Sequence, residues 1–365
     1  MFTYTTLAQQ IIFAPGGINQ IEAAVTSLGV RRLLLITSAS LVRGGEVGRL
    51  AAALGTTLVA TFSRTEAHVQ DYQLAEVSAL AQTQAIDGLI GLGGGSVIGL
   101  AKALSQTGAV ALPVIAIPST YAGSEMTPVY GITHHLADGS SRKITVRDPK
   151  VAPRLILYDP DITLTLPAAV TAGTGINALA HCFEALYSVT ANPLASAAAL
   201  AGIRAINQAL PLCLADGQNR DARAEMLLGA HLGGTALATV EMALHHGLCH
   251  VLGGTAGVAH GVANAIMLPH VLQFNQDAAA GQLAQAAQAM GLRGNGEKEL
   301  VAAAIRQVRT LISQTGLPPR LRDVGVAAHL IPQLAATAIS SATVHKNPRP
   351  ITSVDELINL YQAAW

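Results

Sequence analysis

The sequence predicts an α/β domain followed by an all-helical domain, and three observations carry that expectation. Short apolar runs alternate with amphipathic stretches over the first 160 residues, as in βαβ units. Strand-like runs nearly vanish after Tyr158-Asp159-Pro160. From there to residue 365, alanine-rich periodicity of the helical kind dominates. The expected division is therefore 1–160 and 161–365.

Four runs read as buried strands: Leu33–Thr37, Thr57–Phe62, Ile86–Leu92 and Val110–Ile117. Their near-continuous apolar character is that of strands covered on both faces, hence of a parallel sheet. Asp71–Gln84 and Val97–Gln106 supply amphipathic helices between them. The stretch VYGITHHLADGSSRKITV then reads as a hairpin with an Asp138-Gly139 turn. In the second half, Pro167, Pro193, Pro211, Pro269, Pro318 and Pro332 are expected to mark helix starts. SVDE at 353–356 reads as a capping box opening the final helix.

Composition narrows the function classes. Half of the residues are apolar and 12% are charged, so a sizeable core is easily built. With 22 basic and 22 acidic residues there is no electrostatic footprint for nucleic acid or an anionic membrane. The longest apolar run, Ala109–Ile117, contains Pro113 and is too short to span a bilayer. The opening MFTYTTLAQQIIF has neither a basic leader nor a small-residue cleavage site, so no signal peptide is expected. Cys182, Cys213 and Cys249 form no CxxC pair, which suits a reducing cytoplasm. Low charge and a large apolar fraction point to buried faces between copies, with a homodimer as the expectation.

IDGLIGLGGGS (86–96) runs a buried strand into three glycines and a serine, and the helix VIGLAKAL follows. Glycines at such a turn let backbone N–H groups approach a pyrophosphate, and the helix N-terminus adds positive potential. The same glycines also suit a tight turn that needs positive φ. IPSTYAGSE (117–125) follows the next strand, with Thr120 and Ser124 offering hydroxyls to phosphate or ribose, or capping a helix. Two such loops after neighbouring parallel strands share one carboxyl edge, where α/β sheets bind dinucleotides. In the loop TSAS (37–40), Ser38 is not the acid that would repel a 2′-phosphate, so NADH and NADPH are both admitted. The expected cofactor contacts are Ser38, Gly93, Gly94, Gly95, Ser96, Ser119, Thr120, Ser124 and Lys143.

HHGLCHVLGGTAGVAHGVANA (245–265) holds four of the twelve histidines. His246 and His250 are four apart, on one helical face, and a Gly253-Gly254 break separates them from His260. GINALAHCFEALYS places Asn177 and His181 four apart in the same way. Paired polar residues on two inward helix faces are how bundle-type metal sites are built. Any one of these histidines, taken alone, reads more readily as a core residue satisfied by its neighbours than as a ligand. The repeated spacing in apolar segments favours convergence on each other or on a ligand.

GGGS (93–96), STYAGSE, GINALAH, the H-x3-H-x9-H series and NPRP (347–350) together resemble the iron-containing alcohol dehydrogenase superfamily. Within it, HHGLCHVLGG and STYAGSEMTP most resemble the maleylacetate reductase branch. The resemblance covers essentially the whole chain. It implies the dehydroquinate synthase-like fold: an N-terminal dinucleotide-binding domain, a helical C-terminal domain, a reaction cleft between them, and NADH or NADPH as hydride carrier. It also implies metal ligation by His181, His246 and His260 with an aspartate at the position of Asn177, and a proton-relay role for His250.

Asn177 departs from that pattern, and a neutral amide weakens a hard divalent-cation site. Two expectations follow from the resemblance. Either iron or zinc sits on the three histidines, or a metal-free site uses His181, His246 and His250 as proton donors and oxyanion partners. Substrate contacts are expected from Asn177, His181, His246, His260 and His345. The branch often carries a basic residue where this chain has Gly247, and AHGVANAIMLPH is closer to the metal-using dehydrogenases. His345, Lys346 and Arg349 are the nearest cationic candidates for a dicarboxylate. The reaction so implied is reduction of maleylacetate, or a close oxo-dicarboxylate, to 3-oxoadipate in aromatic-compound breakdown. A metal-dependent alcohol or aldehyde reductase is the alternative, and a silent nucleotide-binding module is a third reading.

Overall fold

A computed structural model describes residues 2, 4–108, 111–136 and 141–365. The chain divides into compact units at Thr5–Leu166 and Pro167–Trp365. The first unit contains β1 (Gln10–Phe13), α1 (Ile21–Ser27), β2 (Leu33–Ile36), α2 (Ala39–Gly44), α3 (Glu46–Leu54), β3 (Leu58–Phe62), β4 (Val69–Gln70) and α4 (Asp71–Thr83). It continues with β5 (Gly88–Gly93), α5 (Gly95–Ser105), β6 (Val114–Pro118), β7 (Val129–His135), β8 (Ser141–Arg147) and β9 (Leu155–Tyr158).

Six strands form one sheet, parallel throughout, in the order β1-β9-β6-β5-β2-β3. The run LLLI of β2 shows why it is covered on both sides. Leu33 and Leu35 join one core cluster with Ile21, Val25, Leu50 and Leu54 of α1 and α3. Leu34 and Ile36 join another with Val77 and Ala81 of α4 and Leu100 and Leu104 of α5. Alternation along a strand sends successive side chains to opposite faces, so only an all-apolar run satisfies both. Each such side chain contributes roughly 1.5–3 kcal/mol by burial.

β4, β7 and β8 make a second sheet, in which β4 runs parallel and β8 antiparallel to β7. This is the expected hairpin; its Asp138-Gly139 turn lies outside the described residues, as do Ala109 and Val110 before β6. The sequence reading does not anticipate β1 or β9. Each is four residues long, and β1, at the sheet's edge, leaves Ile11 and Phe13 exposed.

The second unit consists of α6 (Ala168–Tyr187), α7 (Pro193–Ala215), α8 (Arg220–Thr239), α9 (Leu244–Ala256), α10 (His260–Phe274), α11 (Ala280–Ala289), α12 (Glu297–Ser313), α13 (Ile331–Ile339) and α14 (Val354–Ala364). Leu244, Leu248 and Leu252 of α9 pack with Ile266 and Val271 of α10, Leu334 and Ala338 of α13, and Leu357 and Tyr361 of α14.

Three expectations need correction here. Pro193 and Pro332 open α7 and α13, but Pro211 and Pro269 lie inside α7 and α10, where packing outweighs a lost backbone hydrogen bond. Helix α7 is long and apolar enough to cross a membrane by length and composition, although no uninterrupted apolar run is. Its small apolar side is buried against α6 and α8, the placement of a bundle helix. The capping box at 353–356 is half formed. Ser353 makes no side-chain cap bond, whereas Glu356 accepts from Thr352 N at 2.8 Å and Thr352 Oγ1 at 3.1 Å. Ser353→Ala is therefore expected to change stability by less than about 0.5 kcal/mol, and Glu356→Ala to cost about 1 kcal/mol, as read by urea denaturation.

Candidate active site

Glycines set how closely two of the site's helices approach. A Cβ added to Gly261 would lie 2.7 Å from the Cα of Gly173, and one added to Gly173 would lie 3.2 Å from the Cα of Gly261. The backbones of α6 and α10 therefore touch at this crossing. One turn along α6 stands Asn177, and the residue before Gly261 is His260. The amide Oδ1 of Asn177 lies 3.1 Å from His260 Nε2 and 3.3 Å from His246 Nε2. Asn177 thus joins imidazoles carried by two other helices.

Helix α9 has Ala243 at its N-cap, whose methyl group cannot accept a capping hydrogen bond. Glu184, fully buried on α6, takes that role from across the bundle. Its Oε1 accepts from His245 N at 2.8 Å, and its Oε2 lies 2.6 Å from His246 Nδ1. One carboxylate therefore anchors the start of α9 and sets the rotation of His246. Sequence reading missed Glu184. The available signal was its place on the face of Asn177 and His181, seven and three residues on, as the lone acid of an apolar helix. His245 is structural: its Nε2 lies 2.7 Å from Asn264 Oδ1, tying α9 to α10.

Four rings converge. His181 stacks on His246 with centroids 4.6 Å apart, and His250 stacks on His260 at 5.6 Å. His246 joins the pairs, 6.1 Å from His250 and 5.8 Å from His260. The pairs differ in surroundings: His181 and His246 are buried, whereas His250 and His260 are exposed. Burial, with the neighbouring imidazoles second, holds His181 and His246 well below the ordinary histidine range. Burial likewise raises Glu184 against the backbone N–H groups that favour its charge. The deep pair is therefore neutral at physiological pH. His181 Nδ1 is buried with no hydrogen-bond partner among the described residues. The Gly253-Gly254 break expected before His260 is displaced: both glycines lie within α9, which ends at Gly257 with φ 66°.

The donor set does not fit a hard divalent cation. Asn177 supplies a neutral amide, and its oxygen already faces the Nε2 atoms of His246 and His260. Among the described residues, no three His, Cys, Asp or Glu side chains are placed to share a metal ion.

The C-terminal candidates stand otherwise engaged. His345 is exposed and its Nε2 lies 2.8 Å from the Ile339 carbonyl. Lys346 pairs with Glu241 at 2.9 Å, and Arg349 lies over the Phe274 ring at 3.8 Å. Within NPRP, Asn347 and Asn275 exchange amide hydrogen bonds at 2.7 and 2.8 Å, so the motif is a structural anchor. A Cβ at Gly247 would meet Val344 Cγ2 at 2.6 Å, so a longer side chain there must displace the turn at Val344–Lys346.

In the N-terminal unit, the loops after β2, β5 and β6 follow neighbouring parallel strands and share one carboxyl edge. Gly94 caps α5 with φ −83°, so it is not held there by a need for positive φ. Closeness is the requirement: a Cβ on Gly94 would meet Thr120 Cγ2 at 3.1 Å, and one on Gly93 would meet Val97 Cγ2 at 2.6 Å. Ser119 N donates to Gly93 O at 3.0 Å, joining the two loops by main chain. Ser96 Oγ accepts from His68 N at 2.9 Å, and Ser38 Oγ lies 2.9 Å from Ser40 Oγ in an exposed turn. Lys143 packs over Gly131, and burial lowers its ammonium. A bare, narrow turn at a helix N-terminus fits a dinucleotide's phosphates.

Residues 8–160 match the family described as iron-containing alcohol dehydrogenase, and residues 171–365 match the C-terminal part of the Fe-containing alcohol dehydrogenase family. A maleylacetate reductase of Sphingobium indicum is 37% identical over 96% of this chain and 94% of its own. One from Burkholderia cepacia is 35% identical over 96% and 94%. The crystal structure of maleylacetate reductase from Agrobacterium tumefaciens superposes with a TM-score of 0.89 at 33% identity, covering 100% of this chain and 98% of the other.

Two glycines separate packing from propensity. Gly261→Ala is expected to cost about 1–3 kcal/mol by forcing α6 from α10. Gly254→Ala, at a helical position with nothing within 4 Å of the new Cβ, is expected to stabilise by about 0.5–1 kcal/mol. Thermal melts of both variants check this.

Proposed function

Because the chain belongs to the iron-containing alcohol dehydrogenase family, an oxidoreductase family, we propose that it reduces maleylacetate, or a closely related oxo-dicarboxylate, to 3-oxoadipate with NADH or NADPH during breakdown of aromatic compounds. The observation that carries this reading is the convergence of His181, His246, His250 and His260 about Asn177. The named relatives are maleylacetate reductases. The three free, buried cysteines accord with a cytoplasmic location. A homodimer belongs to the same reading.

When bound, the reduced dinucleotide supplies a hydride to the alkene carbon conjugated with the ketone. Negative charge then collects on the ketone oxygen. The neutral, buried His181 suits hydrogen-bond stabilisation of that oxygen, because a dry site strengthens such bonds, and the stacked His246, whose Nδ1–H faces Glu184, is kept from turning. His250, exposed and in ring contact with both His246 and His260, donates the proton to the adjacent carbon and recovers it from water. His260 and Asn177 orient a substrate carboxylate or carbonyl through N–H groups.

A metal-dependent reductase of small aldehydes is the second reading, favoured by the retained His181, His246 and His260. After exhaustive chelation, the enzyme is expected to oxidise NADH with maleylacetate at an undiminished rate. Activity on short aldehydes alone, restored by iron or zinc, would overturn the proposal. Glu184→Gln is expected to lower kcat by about 10–100-fold while leaving the dinucleotide Kd within about twofold, measured by steady-state kinetics and fluorescence titration. Asn177→Asp restores the acidic ligand and is expected to bring measurable zinc binding by calorimetry, where the parent protein shows less.

A further inference from the structure

Lys102 is one of the largest fully buried side chains of the protein, and the mechanism above assigns it nothing. It rides on α5, two turns beyond the glycine-rich turn, in a stretch whose other residues are small or apolar. A lysine ammonium has three protons and no apolar option, so burying one requires oxygens on every side. Lys102 finds them in a single segment. Its Nζ donates to the Ser124 carbonyl, reaches the Val129 carbonyl at 3.0 Å, and lies 3.2 Å from Ser124 Oγ and 3.3 Å from Thr127 Oγ1. These partners span the hydroxyl-rich loop after β6 and the first residue of β7. The same loop carries Thr120, Ala122 and Ser124, whose side chains lie 3.1–3.9 Å from where Gly94 and Gly95 would place a Cβ.

The consequence for Ser124 is specific. Its oxygen accepts from the ammonium, leaving the hydroxyl proton to point elsewhere, so Ser124 is held as a donor. The titratable group facing Lys102 is Glu125, buried in the same loop, whose Oε1 accepts from Tyr158 Oη of β9 at 2.9 Å. The other partners are carbonyl and hydroxyl oxygens.

We propose that Lys102 is a positioning residue for the dinucleotide: its buried ammonium locks the Ser119–Thr127 loop against the Gly93–Ser96 turn in the conformation that receives the phosphates. This rests on the nucleotide reading of the two loops given above. Burial lowers the Lys102 pKa from 10.5 to about 7, with Glu125 opposing the fall. The charge that grips the loop is accordingly lost as pH rises through neutrality, long before a surface lysine would titrate.

The test is NADH binding by fluorescence titration between pH 6 and pH 9, on the full chain and on Lys102→Met. The parent protein is expected to bind NADH about tenfold more weakly at the alkaline end, and Lys102→Met to bind at that weak level at every pH. In turnover assays the KM for NADH should follow the same pattern, with kcat at saturating NADH within about twofold of the parent. Glu125→Gln serves if Lys102→Met does not fold: removing the opposing carboxylate should move the midpoint of the parent's pH dependence downward. Tight, parent-like binding by Lys102→Met, or a pH dependence unmoved in Glu125→Gln, overturns the inference alone. A parent protein that binds neither NADH nor NADPH at any pH overturns the nucleotide reading together with it.

Discussion

The helical unit depends on one buried carboxylate. Glu184 ends the hydrogen-bond deficit at the start of α9 and, with its other oxygen, holds His246 by Nδ1. A helix start buried without a cap leaves several N–H groups unpaired, each costing about 1–3 kcal/mol. The residue that relieves this cost also aims the central imidazole. Stability and chemistry are thereby tied to the same atoms, and His181, His250 and His260 take their places around a ring that cannot turn freely.

Charge accounting explains the amide beside it. Glu184 already introduces one buried acid, and a second at position 177 would put two anions within a few residues in a dry bundle. That arrangement calls for a cation between them. Asn177 removes the demand while keeping an oxygen and an N–H for hydrogen bonding. The four rings then differ in surroundings: His181 and His246 are buried and shut off from water, and His250 and His260 are exposed to it.

Much of the architecture was legible because it follows from periodicity. LLLI and GLIGLG are apolar on both faces, which parallel strands require, and the i, i+4 pairs of α6 and α9 follow from helical pitch. The histidine convergence was visible for the same reason. What stayed hidden depends on tertiary partners. Glu184 and Lys102 look like ordinary helix residues until the groups they face are known. The edge strand β1 leaves Ile11 and Phe13 exposed, so its apolar run does not mark a buried strand. His345 carried the right chemistry in the sequence, yet it serves the Ile339 carbonyl instead of the four rings.

The contact between Gly173 and Gly261 has an outcome for how the surroundings of the four rings can diverge. Where α6 meets α10 the wall is bare main chain, which offers peptide groups but no side chain to exchange. Selection for new substrates can therefore act there only by moving whole helices, which disturbs everything packed on them. Variation is channelled instead to the exposed positions around His250 and His260, where residues can change without shifting the frame.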